Sequence, residues 1–571
     1  MGFTENGSAT FLSTGNPCLD FFFHVVPNMP PQDLIGRVDV AWAHNPLTTL
    51  KLICNLRGVR GTGKSDKEGF YLAALWLHYN HPKTLSGNLK ALSEFGYFKD
   101  FLEILYRILE GPYVRKFEKE QRENSSRSRR RYGRGHRRFF FPKARAEKEK
   151  ARVLRKQREL NKAVKGLQTY ITDEKYRLLH DKISYLFAEM LEADIKKLNS
   201  EKLGDISLAA KWCPTIDSSY DKTTLICESI ARKLFPKDKY TEYEGLKEAH
   251  YVYKVRDRLR KQVLVPLHKA LELPEVYMSA KQWNMLPYKR VASVAMKNYT
   301  KKFAKHDNER FREYLRKVKT GEAKIAAGAL LPHEIIRSLQ RADPEEAEVA
   351  EVAELQWKRI VDDLAKKGKL SNCIAICDVS GSMFGIPMEV CVALGILVSE
   401  LSEEPWKGSV ITFSANPQLH KVEGETLLKK IAFVGTMECG MNTNFQKPFD
   451  RILEIAVEGN LSQEQMIRRV FVFSDMEFDQ VSENSWETDY EVIQRKFREK
   501  GFTNVPEVVF WNLRASQSTP VVGNQSGVAL VSGFSKNLLT IFLENGGIVN
   551  PEEVMELAIS GEEYKKLAVL D

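Results

Sequence analysis

The side chains best placed to do chemistry in this 571-residue chain are oxygen donors. Asp378-Val-Ser-Gly-Ser382 sets one carboxylate and two hydroxyls at alternate positions, directly after the apolar run Cys373-Ile-Ala-Ile-Cys377. A tight turn there directs all three toward one point. A second apolar run, Val470-Phe-Val-Phe473, ends in Ser474-Asp475, and the loop Gly440-Met-Asn-Thr-Asn444 offers the hydroxyl of Thr443. Carboxylates and hydroxyls without imidazole or thiolate select a hard cation. Asp378, Ser380, Ser382, Thr443 and Asp475 are therefore expected to hold Mg2+, or Mn2+, with coordination positions left for water or for a carboxylate of a protein partner. Glu477 and Asp479 follow the second carboxylate, and their charge would favour the cation while disfavouring an acidic ligand.

A second constellation is Gly58-Val-Arg-Gly-Thr-Gly63-Lys64-Ser65, which satisfies the G-x-x-x-x-G-K-S pattern of a phosphate-binding loop letter for letter. Gly58, Gly63, Lys64 and Ser65 are its nucleotide-binding candidates and make a P-loop NTPase the alternative function. Such a loop joins a strand to a helix, yet the segment before Gly58 reads as a helix. Asn45-Pro46 supplies an N-cap and a first-turn proline, and Leu47, Leu50 and Cys54 follow at helical spacing. Ser65-Asp-Lys-Glu68 reads as a capping box for the next helix. A glycine-rich turn between two helices is the preferred reading.

The third feature is charge. Of the formal net +11, residues 115–165 contribute +15, with 21 Lys or Arg against 6 Glu, which leaves −4 for everything else. The centre of this stretch, Ser125 to Phe141, is low in complexity and is expected to be disordered or loop-like when unbound. Arg129, Arg130, Arg131, Tyr132, Arg134, Arg137 and Arg138, together with Arg57, Arg60 and Lys64, are the candidate nucleic-acid contacts. Guanidinium groups release counterions from phosphates, and aromatic rings stack on unpaired bases, so RNA is the expected partner. A solvated linker or a nuclear import signal has the same composition, and a protein-only adaptor stays open beside the RNA reading.

The elements that must position these groups change character along the chain. Up to about residue 112, short amphipathic helices follow one another, and Leu178, Leu179, Ile183, Leu186, Phe187, Met190 and Leu191 mark a later helix. From residue 370, short apolar runs at 373–377, 410–413, 470–473 and 508–511 alternate with helical stretches near 387–401, 444–457 and 489–500. Buried strands alternating with helices predict a mostly parallel sheet, with ligand sites at the carboxyl ends of its strands. The expected architecture is multidomain: an all-α, helical-repeat-like N-terminal region followed by an α/β doubly wound, Rossmann-type domain. Its divisions are residues 1–112 and 166–367 as two parts of the helical region, 113–165 as a basic insert leading into a charged helix, and 368–571 as the α/β domain.

Eight scattered cysteines with no C-x-x-C pair argue against a disulfide framework or a zinc ribbon. Neither G-x-S-x-G nor H-E-x-x-H occurs, so a hydrolase has no support and no catalytic residue is assigned. Without a signal-like segment or a run of about 18 apolar residues, the expectation is an intracellular protein of the cytoplasm or nucleus with no membrane partner.

The oxygen constellation resembles the metal-ion-dependent adhesion site of the von Willebrand A family, whose D-x-S-x-S signature is matched by Asp378, Ser380 and Ser382. Asn55-Leu-Arg-Gly-Val-Arg-Gly-Thr-Gly-Lys64 is similar to the interhelical loop of the TROVE module in the Ro autoantigen family, which joins a helical ring to a C-terminal von Willebrand A domain. That resemblance implies RNA binding by the helical part, as in a ribonucleoprotein. The segments Gly58–Leu77, Met278–Asn284, Lys324–Pro332 and 378–401 resemble an uncharacterised plant family with a TROVE-like region and a von Willebrand A-like domain, a likeness that names no activity.

Overall fold

The computed structural model describes residues 2–132, 143–343, 346–413, 417–435, 437, 444–479, 489–502, 505–543 and 546–571, and within these the side chains of 125–132 and 143–147 are left aside. Thr443, Arg134, Arg137 and Arg138 lie outside the described residues. Strands are numbered along the chain: β1 Gly2–Phe3, β2 Ala9–Thr10, β3 Cys373–Cys377, β4 Ser409–Thr412, β5 Leu419–Lys421, β6 Arg469–Ser474, β7 Glu507–Asn512 and β8 Val528–Ser532.

The four apolar runs foreseen from sequence form β3, β4, β6 and β7. Every residue of β3, β4, β6 and β8 is buried, as strands in the middle of a covered sheet must be. The sheet is mixed but mostly parallel, in the order β5-β4-β3-β6-β7-β8, with only the short β5 antiparallel to its neighbour. β5 and β8 were not anticipated. Register places Cys377 beside Phe473, and Phe473 beside Trp511, so the residues after β3, β6 and β7 emerge along one edge. Helix Ile386–Leu401 packs on β3, β4 and β6, and Gly395 permits its close approach, since a Cβ there would lie 2.4 Å from Cys377 Sγ.

The chain forms two compact units, and their limits do not follow the division foreseen at residue 368. One unit comprises residues 1–70 and 277–567, the other 71–276 and 568–571. In the first, helix Pro17–His24 packs against β8 and helix Pro551–Ala558. The Phe-Phe-Phe run 21–23 is fully buried there. Helices Ser293–His306, Asn308–Lys319 and Ala347–Ala365 also belong to this unit, around an aromatic core that includes Tyr288, Phe303 and Phe311.

The second unit is helical. Helix Glu174–Asn199 is packed by neighbours on several sides, and its buried Tyr176, Leu179, Ile183, Phe187 and Leu191 follow the predicted stripe. Of the stretch expected to be irregular, 125–141, residues up to 132 belong to helix Val114–Tyr132 and 133–142 lie outside the described residues; the charged helix expected after the insert is Lys143–Thr172. Arg, Lys, Glu and Gln are good helix formers even where no apolar periodicity shows. Arg115 with Glu118 and Glu149 with Arg152 add same-helix ion pairs. The base of the first arm is anchored by Glu103, a buried carboxylate. It accepts from Arg107 Nε at 2.9 Å, from Arg115 Nη2 at 2.7 Å and from the Tyr220 hydroxyl at 2.5 Å. The Arg115 guanidinium lies 4.3 Å from the Tyr106 ring centre. The second arm is held by Lys162, 2.6 Å from Glu110. Among the described residues no helix is long and apolar enough to cross a membrane.

Candidate metal centre

The turn after β3 is fixed by its own backbone. Asp378 still pairs with the sheet, its N–H donating to Phe473 O at 3.0 Å, and its Oδ1 accepts from the Ser380 N–H at 3.0 Å. That turn brings the hydroxyls of Ser380 and Ser382 within 3.0 Å of each other. From the adjacent β6, Ser474 Oγ donates to Asp378 Oδ2 at 2.7 Å. Asp475 follows, its Oδ1 accepting from the Glu477 N–H at 3.2 Å. Met476 between them has a left-handed φ of 68°, an unfavourable state for a side chain bearing a Cβ, held by its N–H donating to Ser474 Oγ at 3.1 Å.

Asp378 and Asp475 are both buried, at 0% and 2% exposure. Burial, with the charge of Asp475 added, pushes the Asp378 carboxyl up to about 6. A nearby cation is supplied by Arg514, whose Nη1 donates to Ser382 O at 2.6 Å and stands 3.8 Å from Asp475 Oδ2. Ser474 and Arg514 escaped the sequence reading. The signal for Arg514 is its position two residues beyond β7, on the edge of the sheet that carries the two aspartates.

Four of the five predicted oxygen donors thus stand on one sheet edge, and the fifth, Thr443, is outside the described residues. Among the described residues no group of three or more His, Cys, Asp or Glu side chains is arranged to hold a metal; the donor set is two carboxylates with hydroxyls. The negative charge expected from Glu477 is turned elsewhere. Its carboxylate accepts from the Glu5 N–H at 2.7 Å and from Ser518 Oγ at 2.9 Å. The N-terminal segment closes over this turn, with Thr4 Oγ1 donating to Phe478 O at 2.7 Å. Phe384, two residues after Ser382, is 90% exposed at the rim.

The loop at Gly58–Ser65 lies between helix Pro46–Arg57 and helix Lys67–Asn80, with no strand before it. Several of its amides are already used. The N–H groups of Gly63, Lys64, Ser65 and Asp66 donate to Arg60 O, Asn55 O, Gly58 O and Leu56 O at 2.7–3.1 Å, so they form no phosphate cradle. Gly58 and Gly63 cross so closely that a Cβ on Gly63 would lie 2.2 Å from Gly58 O. Lys64, a candidate phosphate or RNA contact from sequence, has its side chain buried at 2% exposure. Its ammonium donates to Phe22 O and to Ser532 Oγ at 2.7 Å, satisfying a carbonyl left open near the C-terminus of helix Pro17–His24. Burial pushes this lysine down to about 7. The capping box moves by one residue: Ser65 takes a left-handed φ of 58°, and Asp66 Oδ1 accepts from the Gly69 N–H at 3.1 Å. Arg57 is buried too, and Arg60 is exposed.

Comparison with known proteins divides the chain in two. Residues 372–568 match the family described as "Domain of unknown function (DUF7788)". An uncharacterized protein of Acanthamoeba polyphaga mimivirus is 28% identical over 577 residues, an alignment covering 97% of this chain and 86% of the viral protein. The two parts therefore occur together in a distant relative. Residues 4–370 match the remaining family, and since that match spans well over half of the sequence, the chain belongs to the family described as "Domain of unknown function (DUF2828)".

Proposed function

We propose that this chain is a non-enzymatic binding scaffold, built from a von Willebrand A-like domain and a TROVE-like helical region. The first holds Mg2+ or Mn2+ through Asp378, Ser380, Ser382 and Asp475, with Thr443 added on sequence grounds. The observation that carries the reading is a pair of buried carboxylates at the ends of paired strands β3 and β6, where burial, with the charge of Asp475 added, raises the Asp378 carboxyl. Buried like charges oppose folding unless a cation neutralises them. Hydroxyls close by and the absence of imidazole favour a hard ion. An exposed Phe384 beside the hydroxyls gives a protein partner an apolar contact next to the cation. Calorimetric titration of the full chain with MgCl2 and MnCl2 tests this. Binding in the wild type and none in Asp378→Ala is expected, and equal heats in both would remove the site.

RNA binding by the helical part rests on a separate observation, the net +15 carried by residues 115–165, most of them on two helical arms. With Lys64 and Arg57 buried, the contacts fall to the arms and to Arg60. Each phosphate neutralised on a single strand contributes about −0.7 to the slope of log affinity against log salt. Deleting residues 125–147 should flatten that slope in filter binding with single-stranded RNA, and an unchanged slope would exclude this segment.

A further inference from the structure

Helix Pro31–His44 carries a guanidinium that its own unit leaves open. Arg37 is partly buried, yet among the described residues nothing accepts a hydrogen bond from it, and Asp20 and Asp33 act on it only through space. Burial weakens its hold on the proton more than the two aspartates strengthen it. Asp33 stands one turn earlier, at the i,i+4 spacing at which a carboxylate and a guanidinium normally meet, but the two form no ion pair. Both line a cleft of about 470 Å³, a size usual for small-molecule sites. Helix Pro31–His44 gives this cleft Asp33, Gly36, Arg37 and Val40, whose spacings of three and four define one helix face. The start of helix Pro17–His24, the loop 515–517 and Glu5 supply other walls, all within the first compact unit.

Gly36 is a second and independent sign. A glycine in a helix interior is disfavoured, and close packing is a usual reason for keeping one. Here a Cβ would meet nothing within 4 Å. What the missing side chain leaves free is the cleft itself.

The charges define what would fill it. Asp20 is already engaged, its carboxylate accepting from the Thr14 N–H at 2.7 Å and from Ser13 Oγ at 2.5 Å. That leaves one guanidinium and the carboxylates of Asp33 and Glu5 without hydrogen bonds or ion pairs among the described residues. An anion alone would answer Arg37 but face two carboxylates, and a polyamine would answer the carboxylates but face Arg37. A ligand that answers all three holds one carboxylate and two cations on an aliphatic frame. Val40, 59% exposed, and Met29 give that frame an apolar wall. We infer that this cleft binds a free basic α-amino acid, lysine or arginine, with its carboxylate on Arg37 and its two cationic groups on Asp33 and Glu5. No donor of the metal centre lines the cleft, so the inference is independent of the cation and RNA readings.

Calorimetric titration of the full chain with L-lysine and L-arginine tests this. Three analogues each change one feature: norleucine lacks the side-chain cation, cadaverine lacks the carboxylate, and Nα-acetyl-lysine imitates the C-terminal lysine of a protein. The wild type should bind both amino acids, and each analogue at least about tenfold more weakly. Arg37→Met should erase the preference for lysine over cadaverine. Gly36→Leu places a good helix former in open space, so it should melt no lower than the wild type and bind lysine at least about tenfold more weakly. Absence of heat with either amino acid at millimolar concentration overturns the proposal, as does a lysine affinity unchanged in both variants. Norleucine binding as tightly as lysine would remove the side-chain cation from the account, and Nα-acetyl-lysine binding as tightly would make the ligand a protein C-terminus; either result overturns it too.

Discussion

Single side chains in this protein carry opposing charges to the limit of what burial allows. Asp378 and Asp475 repel, and the half-exposed Arg514 guanidinium, 3.8 Å from Asp475 Oδ2, offsets this in part, so removing Asp378 has two signs. Asp378→Asn should leave the metal-free protein at least as stable as wild type, since it keeps an acceptor for Ser474 Oγ and removes the repulsion. With Mg2+ the order reverses, because a cation at about a hundred times its Kd adds about 2.7 kcal/mol to the wild type alone. Melting both proteins with and without MgCl2 checks this, and a wild-type melting temperature indifferent to both metals would contradict it. Lys64 is the converse, a cation held among carbonyls at about 7, below its unfolded value. From about pH 7 to 10.5 the unfolded chain holds that proton while the folded chain releases it. Stability therefore rises with pH in this window, and the penalty for burying the charge is complete only below pH 7. Relative to Lys64→Met, the wild type should gain stability between pH 7 and 9.5 in urea unfolding, and the two should not differ in ATP binding. A pH-independent difference would mean the lysine stays charged throughout.

Among the elements, the helical arms depend on the buried group at their base. Burial pushes the Glu103 carboxyl up, but hydrogen bonds from Arg115, Tyr220 and Arg107 outweigh it and hold the group down at about 2. This depressed carboxylate stabilises the fold above its unfolded value of about 4.5, and the stabilisation is lost as pH falls from there toward 2. Glu103→Gln should cost about 3 kcal/mol at neutral pH, as breaking a buried ion pair does, and should remove this part of the acid sensitivity. Chemical unfolding at pH 7 and pH 3 measures both. The placement of Asp378 and Asp475 side by side was legible because both directly follow strands built on apolar runs, and a parallel sheet aligns such ends. Ser474 and Arg514 were not, since their roles rest on which strands are neighbours. The order β3-β6-β7 is a tertiary outcome absent from local spacing. Helix Val114–Tyr132 was not foreseen for a different reason: a helix so polar buries little and shows no apolar period. The loop at Gly58–Ser65 shows the limit of a motif, because the same letters serve a phosphate cradle after a strand and a backbone crossing after a helix.

At the level of the whole molecule, the family boundary near residue 371 and the boundaries of the compact units differ. The first seventy residues supply helix Pro17–His24 to β8 and donate from Lys64 to Ser532, and Asn512 Nδ2 donates to Phe23 O at 3.3 Å. A fragment of residues 368–571 should therefore expose apolar surface, bind a hydrophobic dye and aggregate, and co-expression of residues 1–70 should improve its solubility. A soluble, cooperatively melting fragment would show that the sheet needs no such cover. The same arrangement has a consequence for the order in which the chain is made. Lys64 leaves the ribosome 468 residues before Ser532, the separation of their hydrogen bond. At about 5–20 residues per second, the buried Phe21–Phe23 run waits roughly 25–100 s for its strand, whereas residues 71–276 belong to one compact unit together with the last four residues of the chain. The nascent protein thus passes through a stage in which its middle is finished and its beginning is not, and that early segment is where a chaperone would be expected to bind.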